Sequence, residues 1–282
     1  MDKITQQPAT SWEGPTELSL YWRFVLASFK SQMQFKLSFF LSAVGGFSVT
    51  IIEVAAIWAL FTRFGNLPDW NMAQVCMFYG LVNMSFSISE ALATGFDQFG
   101  TAYVRTGNFD RLLLRPRSLF VQLMGHELSL RRVGRFSQGL VVFSWALVSL
   151  DVQLDSYQAF MIALTMASAV CFFLALFIFQ ATLCFWSTES LEIMNTLTYG
   201  GVESAQYPMA IYEEWFTKFF TYVIPLACIS YFPVVAILGV EDPLGTSRTF
   251  QTLAPLSGML FLALAILVFQ TIGVRHYTST GN

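Results

Sequence analysis

Charged side chains are scarce in this sequence of 282 residues. Asp, Glu, Lys and Arg together make up 12% of it, about half of their share in soluble globular domains. Apolar residues account for 55% and aromatic residues for 16% of the chain. Because a soluble fold of this length could not bury so much apolar surface, the composition indicates an integral membrane protein.

Cysteine and histidine are also few, and their spacing does not predict a metal centre. The four cysteines lie inside apolar runs and none forms a CxxC pair, so we expect neither a disulfide framework nor a zinc site. The stretch HELSL at 126–130 begins like a HExxH zinc motif, but Leu130 stands where the second histidine is required. The other histidine, His276, is far away in the sequence.

Motifs for nucleotide binding and for nucleophilic catalysis are missing. None of the four lysines follows a glycine, so the sequence holds no GxxxxGK[ST] phosphate loop, and it holds no GxSxG motif. The chain is therefore not expected to bind ATP by that route. If it takes part in ATP-driven transport, the ATPase is another chain. The polar N-terminus has no apolar core before a cleavage site and is not interpreted as a signal peptide.

Long apolar runs predict an all-α membrane domain, 37–282, with six transmembrane helices. A helix needs about 20 apolar residues to cross the hydrocarbon layer. In the preceding cytoplasmic segment, 1–36, aromatic and basic residues mix over 18–35, which favours an amphipathic helix in the membrane interface. Five of the runs meet or approach the required length: Leu37–Phe61, Ala73–Ala93, Gly134–Leu150, Tyr157–Trp186 and Leu253–Gly273.

The fifth of the six spans has two candidates. The segment 188–207 is mildly apolar and acidic, whereas 217–239 is strongly apolar but carries Pro225 and Pro233, which interrupt a helix. If the second candidate crossed the membrane, a loop with five glutamates and no cation would lie in the cytoplasm. We therefore prefer the first and interpret 208–250 as an outer re-entrant hairpin, which must pack against protein.

Basic residues are distributed unequally along the chain. With the N-terminus in the cytoplasm, twelve of the 15 Lys and Arg residues fall on the cytoplasmic side, and only Arg63, Lys218 and Arg248 fall outside. Positively charged loops stay in the cytoplasm. We therefore expect both termini on the cytoplasmic side of the membrane.

Seven arginines lie between Arg105 and Arg135, in and beside the longest cytoplasmic connection, 95–134. Within it, FDRLLLRP predicts a short helix that ends before Pro116, and a second helix is expected to restart with this proline in its first turn. Three leucines rimmed by arginines are typical of a docking helix for a cytoplasmic partner. A nucleic-acid surface is disfavoured because no recognition fold accompanies the charge.

Three arginines that precede the third span are interpreted differently from those in the short helix. Arg131, Arg132 and Arg135 lie directly before an apolar run. Basic residues in that position meet anionic lipid and fix the orientation of the helix. We therefore assign this group to membrane lipid and not to a protein partner.

The loop and the C-terminus together resemble a known family. The segment GNFDRLLLRPRSLFVQL resembles the coupling segment of the type-2 ABC exporter permeases, in a bacterial branch of small six-span proteins with an LLRP core. The ending GVRHYTSTGN resembles the ending of that branch, and FWSTES, YPMAIYEEW and YVIPLACISYFP resemble its fifth-span region and outer hairpin. The likeness covers nearly the whole chain.

The resemblance implies a permease subunit of the bacterial inner membrane. It would pair with a second permease, identical or related, and with two cytoplasmic nucleotide-binding ATPase subunits that bind ATP and Mg. A departure from the family is Arg117, which stands where a hydrophobic residue is common. The residues that match the coupling motif are Asp110, Arg111, Leu112, Leu113, Leu114, Arg115 and Pro116.

Three glutamates within the predicted spans are candidates for contact with a cargo. Ionisable residues inside a membrane are costly and are functional by default, which applies to Glu53, Glu90 and Glu203. Alternatively, each is a hydrogen-bonded carboxyl that stabilises a helix contact. If they line a path, their charge suits a cationic or amphipathic cargo.

Two other classes of function remain open. A channel or secondary transporter would need no ATPase, but such proteins usually show an internal two-fold repeat, which this sequence lacks. An intramembrane enzyme would need a catalytic constellation, and none of the motifs considered above supplies one.

Overall fold

The computed structural model describes residues 16–34, 36–65, 70–125, 132–187 and 191–278. Within these ranges the chain is helical and contains no β-strand. The predictions that concern Arg131, the HELSL segment and the final GN lie outside the described residues.

The helices follow the predicted apolar runs along the chain. In the first half they are α1 (Glu17–Gln34), α2 (Lys36–Phe64), α3 (Met72–Leu92), α4 (Thr94–Asp97), α5 (Phe109–Leu113), α6 (Leu119–Met124) and α7 (Val133–Ser149), with a π-helical turn at Gly100–Val104. In the second half they are α8 (Ser156–Leu183), α9 (Leu191–Ala205), α10 (Glu214–Tyr222), α11 (Leu226–Ile229), α12 (Tyr231–Leu238), α13 (Arg248–Leu253), α14 (Leu256–Val268) and α15 (Val274–His276). A 3₁₀ turn covers Met209–Ile211, and a π-helical turn covers Phe269–Gly273.

Side-chain caps fix where two of the long helices begin. At the start of α3, Asn71 accepts a hydrogen bond from the Gln74 amide at 2.9 Å, while the Gln74 side chain accepts one from the Asn71 amide at 2.8 Å. This reciprocal arrangement satisfies two otherwise unpaired N–H groups. At the start of α8, Asp155 accepts hydrogen bonds from the amides of Tyr157 and Gln158.

The helix α3 is central, since it packs against α7, α8, α2 and α9. Its crossing with α7 depends on two glycines, because a Cβ atom on Gly80 would lie 2.6 Å from the Cβ of Phe143 and 2.8 Å from the carbonyl oxygen of Gly139. Small residues at such a crossing allow two membrane helices to approach closely. The core of the bundle therefore lies along α3, where it packs against α7 and α8.

Three helical segments of the described residues are long and apolar enough to cross a membrane: Met72–Leu92, Ser156–Leu183 and Leu256–His276. A fourth such segment is the pair formed by Glu214–Tyr222 and Leu226–Leu238, which bend by 72° at the break between them. Pro225 lies at this break, and Pro233 lies in the first turn of α12, where proline is tolerated. The chain is thus a multi-pass membrane protein, and six spans and a re-entrant hairpin stay predictions.

The helix predicted near the N-terminus is present as α1. Trp22, Leu26 and Phe29 are exposed on it, and they share one side by their i, i+4 and i+7 spacing. Phe24 packs against Gly125 at the end of α6. The interfacial position of α1 stays a prediction, while its contact with α6 joins it to the connection between α3 and α7.

Candidate functional site

The connection between α3 and α7 is closed at its base by an ion pair. Glu90, in the last turn of α3, pairs with Arg132, which directly precedes α7. The Glu90 side chain is 2% exposed and that of Arg132 is 29% exposed. Tyr199 of α9 also donates a hydrogen bond to Glu90 at 3.3 Å. The two ends of the loop are therefore held together against a third helix.

The helix α5 rests on an aromatic cluster. The ring centroid of Phe109 lies 5.1 Å from that of Phe99, 5.5 Å from that of Phe185 and 4.8 Å from that of Tyr277. These edge-to-face contacts join the loop to the end of α8 and to the C-terminal segment. The members of the aromatic cluster are Phe96, Phe99, Phe109, Phe120, Phe185, Phe269 and Tyr277. The helix α5 is thereby packed against the end of α8 and against the C-terminal segment.

The coupling-motif residues divide between the core and the surface. Leu112 is buried, and its carbonyl oxygen accepts a hydrogen bond from Gln122 at 3.3 Å. Leu113 and Leu114 are exposed, the latter by 84%. The sequence placed all three leucines in a docking surface, but Leu112 shares the buried face with Phe109 by i, i+3 spacing. Of the remaining residues of the motif, Asp110 is half-buried, and Arg111, Arg115 and Pro116 are exposed.

The second helix of the loop begins later than predicted. We expected it to start at Pro116, but α6 starts at Leu119, after the extended residue Ser118. Gln122 donates hydrogen bonds to the carbonyl oxygens of both Leu112 and Arg117, which stabilise a tight turn around the proline. The residues after Pro116 therefore form a turn, and not the first turn of the second helix.

A groove of about 370 Å³ lies beside α5. Its lining includes Tyr103, Asn108 and the two exposed arginines Arg111 and Arg115. Burial raises the pKa of Tyr103 to about 12, although the nearby Arg115 cation opposes this rise. The phenol is therefore protonated at neutral pH, and the groove presents cationic groups without a carboxylate in its lining.

A second link ties the loop to α8 through Asp97, the last residue of α4. Gln180 donates a hydrogen bond to the Asp97 carboxyl at 3.2 Å. Burial raises the pKa of Asp97, and the hydrogen bond from Gln180 and the charge of Arg132 oppose that rise. Asp97 thus belongs to the fixed base of the loop.

A polar cluster is formed by residues of α2, α3, α7 and α9. Tyr79 of α3 donates a hydrogen bond to Glu53 of α2 at 2.9 Å. Glu203 of α9 interacts electrostatically with Glu53 and with Arg135 of α7. The Arg135 guanidinium carbon lies 5.4 Å from the centre of the Phe86 ring, within the range of a cation–π contact. Glu53, Arg135 and Glu203, together with Tyr79 and Phe86, are called the membrane cluster below.

The three predicted glutamates therefore take two different positions. Glu53 and Glu203 come together in the membrane cluster although they are far apart in the sequence. Glu90 lies about three helical turns along α3 from Tyr79 and pairs with Arg132. Its role as a stabilising carboxyl, the alternative considered above, agrees with this contact.

Sequence reasoning missed the cations of both positions. Arg132 and Arg135 were assigned to lipid, but one pairs with Glu90 and the other lies over Phe86. A usable signal was present, because the prediction of consecutive spans at α3 and α7 implies that the last turn of α3 and the first turn of α7 lie on the same side of the membrane. A carboxylate at one of these ends and arginines at the other are then within reach of each other.

In the described residues, no group of three or more His, Cys, Asp or Glu side chains is arranged to hold a metal ion. The four cysteines are free thiols, and Cys76, Cys184 and Cys228 are buried.

A family model described as ABC-2 family transporter protein matches residues 47–281. The matched range contains both the loop and the membrane cluster. Comparisons with curated proteins and with solved structures give no match. Since the family model covers most of the sequence, the chain belongs to the ABC-2 transporter family, and the resemblance seen in the sequence is confirmed.

Proposed function

We propose that this ABC-2 family member is the membrane-spanning permease subunit of an ATP-driven ABC exporter. The observation that carries the proposal is the division of α5 into two faces. One side, formed by Arg111 and Leu113 of α5 with Leu114 and Arg115 directly after it, is exposed. The other face is fixed to membrane helices through Phe109 of the aromatic cluster. An element with these two faces can receive a force from a cytoplasmic partner and pass it to the spans.

The partner in this proposal is a pair of cytoplasmic ATPase subunits, which bind ATP and Mg. Exposed leucines on a cytoplasmic loop favour contact with an apolar groove, and the flanking arginines favour acidic residues at its rim. The sequence holds no phosphate loop, which fits a division of labour between this chain and a separate ATPase. Closure of the ATPase subunits on ATP would push α5, and the Glu90–Arg132 pair would make the loop move as one body.

A second permease, identical or related, completes the translocation path. Glu203 is exposed in the single chain, and Glu53 and Arg135 are half-buried. Charges that face lipid at membrane level are costly. This surface therefore faces the path and the second permease, and each permease supplies half of the pathway.

The proposed topology has six crossings in the bacterial inner membrane: α2, α3, α7, α8, α9 and the stretch Leu256–His276. The segments α10 to α12, with their 72° bend, form the outer re-entrant hairpin. The arginine-rich loop and both termini lie in the cytoplasm, as the positive-inside rule favours.

Co-purification tests this function directly. The full chain, tagged and expressed in its native host, is expected to retain an ATPase subunit in detergent. The double substitution Arg111→Ala with Leu113→Ala should abolish that retention. A matched control is Arg63→Ala with Leu140→Ala, because both residues are exposed but lie outside the loop. Retention by the loop variant would contradict the docking role, and full transport activity of the chain alone would favour a channel or secondary transporter.

A further inference from the structure

Arg135 is a cation that its own chain leaves available. It lies in the first turn of α7 and its side chain is half-buried. Its guanidinium stacks on Phe86, and among the described residues no carboxylate is in ion-pair contact with it. A guanidinium offers five N–H donors in a planar fork that suits phosphate or carboxylate groups. The group is therefore placed to accept an anion.

Arg135 interacts electrostatically with Glu203 and with Glu90, although the contact of Glu90 is with Arg132. Glu53 lies along the same side of α3 as Arg135, because Tyr79, its hydrogen-bond partner, and Phe86, which adjoins Arg135, are seven residues apart on that helix. Glu53 is positioned by the hydrogen bond from Tyr79, and Glu203 is exposed on α9. Both carboxylates interact with each other electrostatically, and Glu203 also interacts with Arg135. Two neighbouring carboxylates repel each other, and an ammonium group between them would relieve the repulsion.

The membrane cluster differs in this respect from the Glu90–Arg132 pair nearby. There, one cation and one carboxylate are in contact and the carboxylate is buried. In the membrane cluster the opposite charges are close enough to interact but remain apart and accessible. The face of the Phe86 ring adjoins the Arg135 cation, with the guanidinium carbon 5.4 Å from the ring centre. The arrangement provides separate places for a positive group and a negative group.

We propose that the membrane cluster binds the zwitterionic headgroup of an amphipathic cargo. The guanidinium of Arg135 binds its phosphate, and the carboxylates of Glu53 and Glu203 bind its ammonium group. This inference rests on the proposed function, because the cluster must line the translocation path. It replaces the simple cationic cargo that the glutamates alone suggested. The same headgroup chemistry occurs in phosphatidylethanolamine lipids and in soluble glycerophosphoethanolamine.

Native mass spectrometry of the full chain with its co-purified subunits tests the proposal. Three lipids with identical acyl chains serve as probes: phosphatidylethanolamine, phosphatidylglycerol and a trimethylammonium-propane lipid. The wild-type complex is expected to retain the zwitterionic lipid at least about tenfold better than either of the others, which corresponds to about 1.4 kcal/mol. Equal retention of the three lipids would overturn the proposal. Competition by soluble glycerophosphoethanolamine at similar concentration would assign the site to a soluble cargo, and its failure would assign it to a lipid.

Charge-neutralising variants give opposite expected shifts. Arg135→Gln should move the preference toward the cationic lipid, and Glu53→Gln with Glu203→Gln should move it toward phosphatidylglycerol. Matched controls are Arg63→Gln and Glu192→Gln, which are exposed and lie outside the membrane cluster. Unchanged preferences in both cluster variants would overturn the inference. So would separation of the two permeases by Arg135→Gln, because that result would assign the cation to their interface.

The outcome is separable from that of the proposed function. An ATPase subunit that co-purifies while the lipids bind without selectivity removes only the headgroup assignment. Selective lipid binding by a chain that retains no ATPase would leave the headgroup site in place and remove the ABC permease function.

Discussion

Glutamate and arginine side chains occur both at the base of the loop and in the membrane cluster, but they are arranged differently in the two places. Glu90 and Arg132 are in contact, and the carboxylate is sealed from solvent and held further by Tyr199. Arg135 and Glu203 interact at longer range and remain accessible. The two arrangements therefore differ in burial and in contact. The closed pair joins two helix ends, whereas we propose a ligand site for the separated charges.

The loop and the membrane cluster also differ in how a force on the chain would affect them. The described part of the loop has an ion pair at its base, the aromatic cluster beneath α5 and a hydrogen-bonded turn at Pro116. This arrangement agrees with the proposed transmission of force. The membrane cluster lies among four helices, of which α2 and α9 contribute its carboxylates. Relative movement of these helices would change the spacing of its charges. In the proposed function, force transmission and cargo binding are therefore assigned to different regions of the chain.

The largest expected effect comes from opening the closed pair with Glu90→Gln. The substitution leaves the Arg132 guanidinium without its carboxylate. We expect a loss of about 2–3 kcal/mol in the free energy of unfolding, below the roughly 3–5 kcal/mol of a fully buried pair, because Arg132 is 29% exposed. Thermal unfolding of the full chain in detergent measures this loss, with a thiol-reactive dye that reports exposure of the buried cysteines.

Glu192→Gln is the control for this change, since Glu192 is exposed on α9. It should leave the unfolding temperature unaltered. Equal unfolding temperatures for wild type and Glu90→Gln would show that the ion pair does not hold the base of the loop.

A smaller loss of stability is expected when Phe109→Leu removes a ring from the aromatic cluster. The ring is fully buried against Phe99, Phe185 and Tyr277. Its replacement by a smaller, differently shaped apolar side chain should cost about 1–1.5 kcal/mol. Hydrogen–deuterium exchange should increase in α5 and also in the C-terminal segment 269–278, because both depend on the same ring. Phe160→Leu, at a ring that is 60% exposed, is the control.

If hydrogen–deuterium exchange in Phe109→Leu increased in α5 alone, that result would contradict force transmission through the aromatic cluster. It would mean that α5 is fixed by its own contacts with α6 and that the rings merely fill space.

Much of the fold follows from the sequence, and less of the site does. Apolar runs locate α3 and α8 because crossing a membrane imposes length and composition on a helix. Proline chemistry explains the end of α5. The burial of Leu112 could not be predicted, since three consecutive leucines are equivalent until Gln122 and Phe109 select a face. Contacts between distant helices, such as that of Arg135 with Phe86, depend on packing that local patterns do not encode.

The smallest expected effect on stability is that of Glu203→Gln, and it sharpens the comparison most. The same chemical change that opens the base at Glu90 here alters an exposed carboxylate that is not in ion-pair contact within the described chain. Surface substitutions of this kind usually stay within about 0.5 kcal/mol. The unfolding temperature of Glu203→Gln should therefore equal that of wild type, measured beside Glu90→Gln in the same detergent. A destabilisation as large as that of Glu90→Gln would show that the membrane cluster is a structural junction, because a binding site that awaits a ligand does not lose stability when one of its accessible charges is removed.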